Sequence, residues 1–265
     1  MKKLMALLAA ALLLAGCSSS GSGDTGGQTL TVAATAVPHA EILKQVKPIL
    51  AKEGVDLQIK VFADYVQPNT QVVEKAIDLN YFQTKPFLDT FNREHNTDLV
   101  IVTGVHIEPF GAYSRKYKSI DQLPVGATVT LPNDPANEGR ALLLLAKHGL
   151  ITLNDPNNEL ATPKDIVANP KNLVFKPLEA AMLPRTLDEV DLSLINTNYA
   201  LAAGLNPIKD ALLIEDKNSP YVNYLVGRPD NLHDPRVQKL AKALTSPQIK
   251  AFIEQKYKGA VLPAF

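Results

Sequence analysis

Beyond residue 28 the chain alternates between two hydrophobic rhythms. Short β-branched runs, or runs in which apolar and polar residues strictly alternate, predict strands at 29–34, 56–62, 99–103, 125–131, 173–175, 192–195 and 221–226. Residues 77–81 read as a turn or short strand, and 105–114 as extended chain. Between them, apolar positions recurring every three to four residues predict helices at 38–53, 69–75, 85–94 and 136–148. Further helical pieces fall within 163–168, 180–187 and 198–204, and 235–258 supplies one or two helices. Pro38 suits a first helical turn, where its missing N–H costs nothing, and Gly54 suits a stop. Leu142 to Leu145 is apolar almost all round, so the helix over 136–148 is expected to be deeply buried. Strands separated by helices of this length mean βαβ units and an α/β protein with a largely parallel sheet.

The start of the chain follows neither rhythm. Lys2 and Lys3 precede an apolar run from Leu4 to Ala15, which ends in Leu14-Ala15-Gly16-Cys17. The run is shorter than the about 20 residues needed to span a bilayer core. A charged start, a short apolar stretch and small residues before a cysteine form a bacterial lipoprotein signal. Residues 1–16 are then a signal peptide, and Cys17 is the lipidated N-terminus of the mature chain. Residues 17–28, rich in Ser and Gly, read as a flexible tether with a reach on the order of 18 Å.

Composition narrows the function classes. The 265 residues carry 27 basic and 27 acidic side chains, with no basic block outside the signal, so no nucleic-acid partner is expected. Cys17 is the only cysteine, which excludes an intrachain disulfide, a cysteine nucleophile and thiolate metal sites in the body. There is no Gly-x-Gly-x-x-Gly after a strand, no phosphate-binding lysine loop and no Gly-x-Ser-x-Gly elbow. The five histidines do not pair at metal-ligand spacing. No cofactor, no metal and no catalysis are expected.

Polar and aromatic residues gather instead next to predicted strand ends: Asp64 to Asn69, Asn80 to Thr84, Pro132 to Arg140, Asn196-Thr197 and Ser219 to Asn223. In open α/β sheets ligands bind beyond the carboxyl ends of strands, so these segments are expected to converge on a cleft. Their chemistry suits an amino acid. Arg140 is a candidate clamp for a carboxylate, asparagines offer both donor and acceptor, and rings suit an apolar or thioether side chain. Core packing for Tyr65 or Phe82, and helix capping for Asn69 or Asn137, are the alternatives.

With these stretches in view, the chain resembles the methionine-binding lipoproteins (NlpA/MetQ type) of bacterial ABC importers from Cys17 to its end. The matching stretches are Pro38-His39-Ala40-Glu41, Asp64-Tyr65-Val66-x-Pro68-Asn69, Asn80-Tyr81-Phe82-Gln83, the run from Pro132 through Gly139-Arg140 to Leu145, Ile195-Asn196-Thr197 and Ser219-Pro220-Tyr221-Val222-Asn223. The resemblance implies a two-lobed periplasmic-binding-protein fold with a ligand cleft between the lobes, one lobe from 29–111 plus 224–265 and the other from 112–223. It implies that Tyr65 and Phe82 line a side-chain pocket, that Arg140 and Asn137 hold a carboxylate, and that Asn196 and Asn223 hold the remaining backbone groups of the ligand. It also implies an ABC permease and ATPase as partners and a lipid anchor on the extracytoplasmic face of the cell membrane. Many members carry Phe-Gln-His-x-Pro-Tyr-Leu, whereas this chain has Thr84 and Phe87 at the His and Tyr positions. That departure leaves D-methionine, a methionine dipeptide or another apolar amino acid open as ligand. A metal-binding lipoprotein or adhesin and an anchored enzyme are the readings from other classes.

Overall fold

In a computed structural model, which describes residues 28–265, the chain builds two large sheets, each with its own core, and one two-stranded sheet. It begins with β1 (Gln28–Thr35), α1 (Glu41–Lys52), β2 (Val55–Phe62), α2 (Gln67–Val73), β3 (Leu79–Thr84), α3 (Lys85–His95) and β4 (Val100–Ile107). It then crosses to β5 (Gly111–Tyr113), β6 (Thr128–Pro132), α4 (Pro135–Lys147), the hairpin β7 (Thr152–Leu153) and β8 (Ile166–Ala168), β9 (Val174–Leu178), β10 (Leu192–Ile195), α5 (Thr197–Ala202), α6 (Pro207–Asp210) and β11 (Ala211–Ile214). It returns through β12 (Val222–Gly227), α7 (Pro235–Leu244), α8 (Pro247–Tyr257) and β13 (Leu262–Pro263). The first sheet has the order β13-β4-β12-β3-β1-β2 and the second β11-β5-β10-β6-β9.

Apolar stripes on the helices explain the layering. Leu43, Val46 and Leu50 of α1 join Leu240 and Leu244 of α7 and Ile253 of α8 over one face of the first sheet. Val72, Leu88 and Phe91 of α2 and α3 cover the other. In the second lobe, Leu142 and Leu145 pack on Val129 and Leu192, as the all-apolar stretch of α4 requires. Gly139 permits the close seat of α4, because a Cβ there would lie 2.1 Å from the Glu159 carbonyl oxygen.

Three sequence expectations differ from the structure. The sheets are mixed rather than largely parallel: β1 pairs in parallel with β2 and β3, but β12 is antiparallel to both β3 and β4. The reason is connectivity. β4 leaves the first lobe at its carboxyl end and β12 enters it at its amino end, both on the side of the second lobe. Within 163–168 only Pro163–Asp165 is helical, and Ile166–Ala168 is a strand; β11 carried no strand prediction. At the crossings, Gly111 pairs in the second sheet, while Val222 and Asn223 pair in the first. The signal at 1–16, Cys17 and the tether up to residue 27 lie outside the described residues, and Gln28 opens β1. Among the described residues no helix is long and apolar enough to cross a membrane.

Candidate functional site

The polar segments lie where the two lobes face each other. They follow the carboxyl ends of β1, β2, β3, β4, β6 and β10, and Asn223 sits at the start of β12. Together they line a narrow, nearly filled cavity of about 20 Å³, which Tyr65, Phe82, Asn137, Arg140, Asn196 and Asn223 all border. A wider groove, lined by α4, β7 and the loop after β11, shares only Arg140 with it and has none of the aromatic residues Tyr65, Phe82 and Phe87.

One end of the cavity is aromatic. The Tyr65 ring centre lies 5.7 Å from those of Phe82 and Phe87 and 5.0 Å from that of Tyr199. The Tyr65 hydroxyl donates to Asn198 Oδ1 at 2.6 Å, and the Tyr199 hydroxyl donates to the Ala63 carbonyl at 2.9 Å. Each of these bonds joins the β2–α2 loop of one lobe to α5 of the other. Thr84, at the end of β3, is buried beside them.

On the second-lobe side, hydrogen bonds fix the orientation of each amide. Asp134 is the N-cap of α4 and accepts from the Asn137 backbone N–H at 2.9 Å. Its carboxylate also accepts from Asn137 Nδ2 at 2.9 and 3.0 Å. Because Asp134 offers only acceptors, Asn137 must present its oxygen to Asn196, whose Nδ2 donates at 2.9 Å. Asn196 Oδ1 is thereby left as a buried acceptor with no partner. Asn137 is therefore a braced spacer with both amide ends in use, and Asp134, not Asn137, caps the helix. Asn69 does not cap either: it lies inside α2, buried and bonded to Asn80 and Gln83.

Arg140 is similarly occupied. Its Nε donates to Glu215 Oε1 at 2.7 Å, and its Nη2 donates to Glu215 Oε2 at 2.5 Å and to the Glu108 carbonyl at 2.9 Å. Glu215 also accepts from the Phe110 N–H and the Ser219 hydroxyl. The guanidinium lies 4.1 Å from the Tyr221 ring centre and 5.1 Å from that of Phe110. Burial works against its charge, but the Glu215 carboxylate outweighs that and keeps it protonated. The two-pronged face foreseen for a ligand carboxylate is thus filled by Glu215, and only Nη1 has no acceptor among the described residues.

The first-lobe side holds a group that the sequence reading did not single out. His39 and His106 meet Glu108, with ligand-capable atoms within 4.8 Å of one another, the one such cluster among the described residues. His106 Nε2 lies 2.7 Å and His39 Nε2 3.3 Å from Glu108 Oε1, and His39 Nε2 lies 3.0 Å from Asn223 Oδ1. Thr35 Oγ1 is 2.7 Å from His39 Nδ1, and the Tyr81 hydroxyl bonds His106 Nδ1. Every partner is satisfied when both rings carry hydrogen on Nε2 and accept at Nδ1. Asn223 then presents its oxygen to His39 and its Nδ2 to the cavity. Burial lowers His39 to about 4 and His106 to about 3, so both rings are neutral near pH 7. Burial pushes the Glu108 carboxyl up, opposed by His39, Arg140 and the Asn198 backbone N–H. Linear spacing hides this cluster because His39 follows β1 while His106 and Glu108 belong to the β4 end. The one available signal was the two-residue step from His106 to Glu108 in extended chain, which places both on one face.

A model of the NlpA lipoprotein family matches residues 30–265. The methionine-binding lipoprotein MetQ of Bacillus subtilis is 44% identical over 99% of each chain. A probable D-methionine-binding lipoprotein MetQ of Pasteurella multocida is 38% identical over 97% of this chain and 96% of its own. Among solved structures, a nutrient-binding protein from Burkholderia cenocepacia bound to methionine is 42% identical and superposes with a TM-score of 0.86, covering 89% of this chain and all of that one.

Proposed function

Because the chain belongs to the NlpA lipoprotein family, we propose that it is a substrate-binding lipoprotein that captures methionine between its lobes and hands it to an ABC permease driven by an ATPase. The lining of the cleft carries this reading: an aromatic end and a polar end with an unspent acceptor match an amino acid with an apolar tail. Tyr65, Phe82 and Phe87 surround the thioether, where each sulfur–ring contact contributes about 0.3–1.5 kcal/mol. Asn196, Asn223 and the free Nη1 of Arg140 meet the backbone end of the ligand, and Asn137 holds Asn196 in place. Closure of the lobes excludes water and strengthens each of these bonds. Residues Thr84 and Phe87 favour one neighbouring reading, D-methionine, a different apolar amino acid or a methionine dipeptide, since both line the cavity at the two positions that depart from the pattern the chain otherwise resembles.

Cys17, carrying lipid, anchors the protein on the extracytoplasmic face of the cell membrane, and the tether keeps it within reach of the permease. Cys17→Ala is expected to release the protein from membranes with ligand affinity unchanged. Native mass spectrometry of protein purified without denaturation tests the substrate directly. A co-purified mass equal to methionine supports the reading, and a different bound mass, with no heat of methionine binding in calorimetry, overturns it.

A further inference from the structure

The helices on the two faces of the first sheet differ in charge. On one face, α1, α7 and α8 together carry eight basic and two acidic side chains. On the other, α2 and α3 carry two of each, and the chain as a whole is neutral. Ion pairs use few of the eight: Lys47 faces Asp56, Lys256 faces Glu41 and Arg236 holds Asp234, while Lys239 donates to the Glu53 carbonyl. Lys44, Lys52, Lys242 and Lys250 are exposed with no ion pair among the described residues, and so is Lys258 at the end of α8. Against them stand Glu254 and, just past α1, Glu53. Helical spacing turns the free lysines outward, since Ile42, Leu43, Val46 and Leu50 of α1, and Val237, Leu240 and Leu244 of α7, face the core. None of the exposed large apolar side chains among the described residues belongs to these helices, so the layer offers charge and nothing to insert into hydrocarbon. The chain enters the fold at the rim of this layer. The Gln28 N–H donates to the Gly54 carbonyl just past α1, and Arg236 at the start of α7 donates to the Thr29 carbonyl at 2.6 Å. Residues 17–27 join this rim to the lipid proposed at Cys17, over at most about 40 Å of extended chain.

We infer that the outer side of α1, α7 and α8 docks on the anionic phospholipid headgroups of the membrane that carries the anchor. The lipid holds the protein, and the lysines set which side of it faces the bilayer. A surface rich in anionic lipid has a negative potential that draws basic side chains and fades within a screening length of about 8 Å at physiological salt. Unpaired lysines suit such a partner, because each ammonium acts as a point charge and a sheet of phosphates asks for cations spread over an area rather than for a fixed pocket. The tether confines the body near the surface. An attraction too weak to hold a free protein is therefore enough to orient a tethered one. This inference rests on the lipid at Cys17 and is independent of what the cleft binds.

Energy transfer from a single fluorescent label to an acceptor lipid, with the lipidated chain reconstituted in vesicles, tests it. The Cys17 sulfur is taken up by lipid, so Gln45→Cys on the outer side of α1, or Val125→Cys before β6 in the second lobe, carries the one free thiol. In vesicles with about one phosphatidylglycerol in three lipids, transfer from the label at position 45 is expected to exceed that in pure phosphatidylcholine. The gain is expected to vanish at roughly 0.5 M NaCl and to be missing at position 125. Replacing Lys44, Lys242 and Lys250 together by Gln is expected to lower the ratio of docked to undocked protein by on the order of 100-fold, roughly five-fold for each lysine. The unfolding midpoint and ligand affinity of that variant should match the parent, since none of the three has an ion pair to lose. Equal transfer from position 45 in two kinds of vesicle that both retain the protein overturns the inference and leaves the anchor standing. A gain that survives the triple substitution, or that appears equally at position 125, also overturns it. If the parent chain washes off both kinds of vesicle, the anchor at Cys17 fails and the inference with it.

Discussion

On one side of the cavity Arg140 is matched by Glu215, and on the other Glu108 has only neutral rings and amides for company. Both groups are buried and ionisable, yet one is matched by an opposite charge within the fold and the other by neutral donors. The Arg140 wall is largely spent without ligand: both oxygens of Glu215 are bonded, the guanidinium lies against Tyr221 and Phe110, and of its nitrogens only Nη1 has no acceptor among the described residues. On the Glu108 wall no cation pairs with the carboxyl, and burial pushes its pKa up. A charged residue lining a binding cavity is thus not by that fact a ligand contact; what decides is whether the fold has already used its bonds.

The largest effect expected from this contrast is on folding rather than binding. Arg140→Ala leaves Glu215 buried without its partner, and removing one member of a buried pair costs about 3–5 kcal/mol. Urea unfolding should show that loss in the ligand-free protein. If Arg140 were held ready for a ligand carboxylate, affinity would drop while the unfolding midpoint stayed in place, and that result would erase the distinction between the walls.

Next in size is the acid sensitivity of the Glu108 wall. His39 and His106 titrate in the fold at about 4 and about 3, below the usual 6.5. Between these values and 6.5 the unfolded chain binds more protons than the folded one, so stability conferred by the neutral rings is present above pH 6.5 and is lost as pH falls. At pH 5 the loss is about 2 kcal/mol for each ring. Glu108 acts with opposite sign: its raised pKa makes the fold bind the extra proton, so acidification relieves part of its burial cost. Unfolding curves at pH 7 and pH 5 should separate less in His106→Gln than in the parent chain, and equal separation would mean that His106 does not carry the effect.

How far this was readable beforehand follows from what periodicity reports. The apolar stripes of α1, α3 and α4 and the alternation of β2 survive because each depends on neighbours along one element. The six candidate residues reach one cavity because each lies at a strand end that faces the other lobe, or on the loop or helix next to it. Strand direction was not readable: β12 resembles any other apolar run, and its antiparallel pairing is set by where the chain re-enters the first lobe. Partners were not readable either. Arg140 and Glu215, or His39 and Glu108, are far apart in the chain, and a residue type says what bonds a side chain makes but not which are already made.

A steric test of the Arg140 wall comes third. Gly139→Ala places a methyl 2.1 Å from the Glu159 carbonyl oxygen and 2.9 Å from the Ala161 nitrogen, both backbone atoms that cannot swing aside. Overpacking of this kind costs about 1–3 kcal/mol. Because Asn137 and Arg140 share the helix, the shift of α4 is also expected to weaken ligand binding, whereas loss of stability with affinity unchanged would show that the second-lobe wall tolerates displacement.

The smallest effect separates the polar walls from the bonds that hold the lobes together. Tyr65→Phe keeps the ring beside Phe82 and Phe87 but removes the hydroxyl that donates to Asn198 across the cleft. One hydrogen bond of this kind contributes about 1 kcal/mol net, or roughly a five-fold change. Because the bond joins the two lobes beside the cavity, the change should fall on ligand dissociation, measured by stopped flow, with the association rate preserved. Tyr199→Phe, which removes the parallel bond to the Ala63 carbonyl, should act in the same way. A Tyr65→Phe protein whose ligand dissociates at the parent rate would show that this bond does not hold the lobes together.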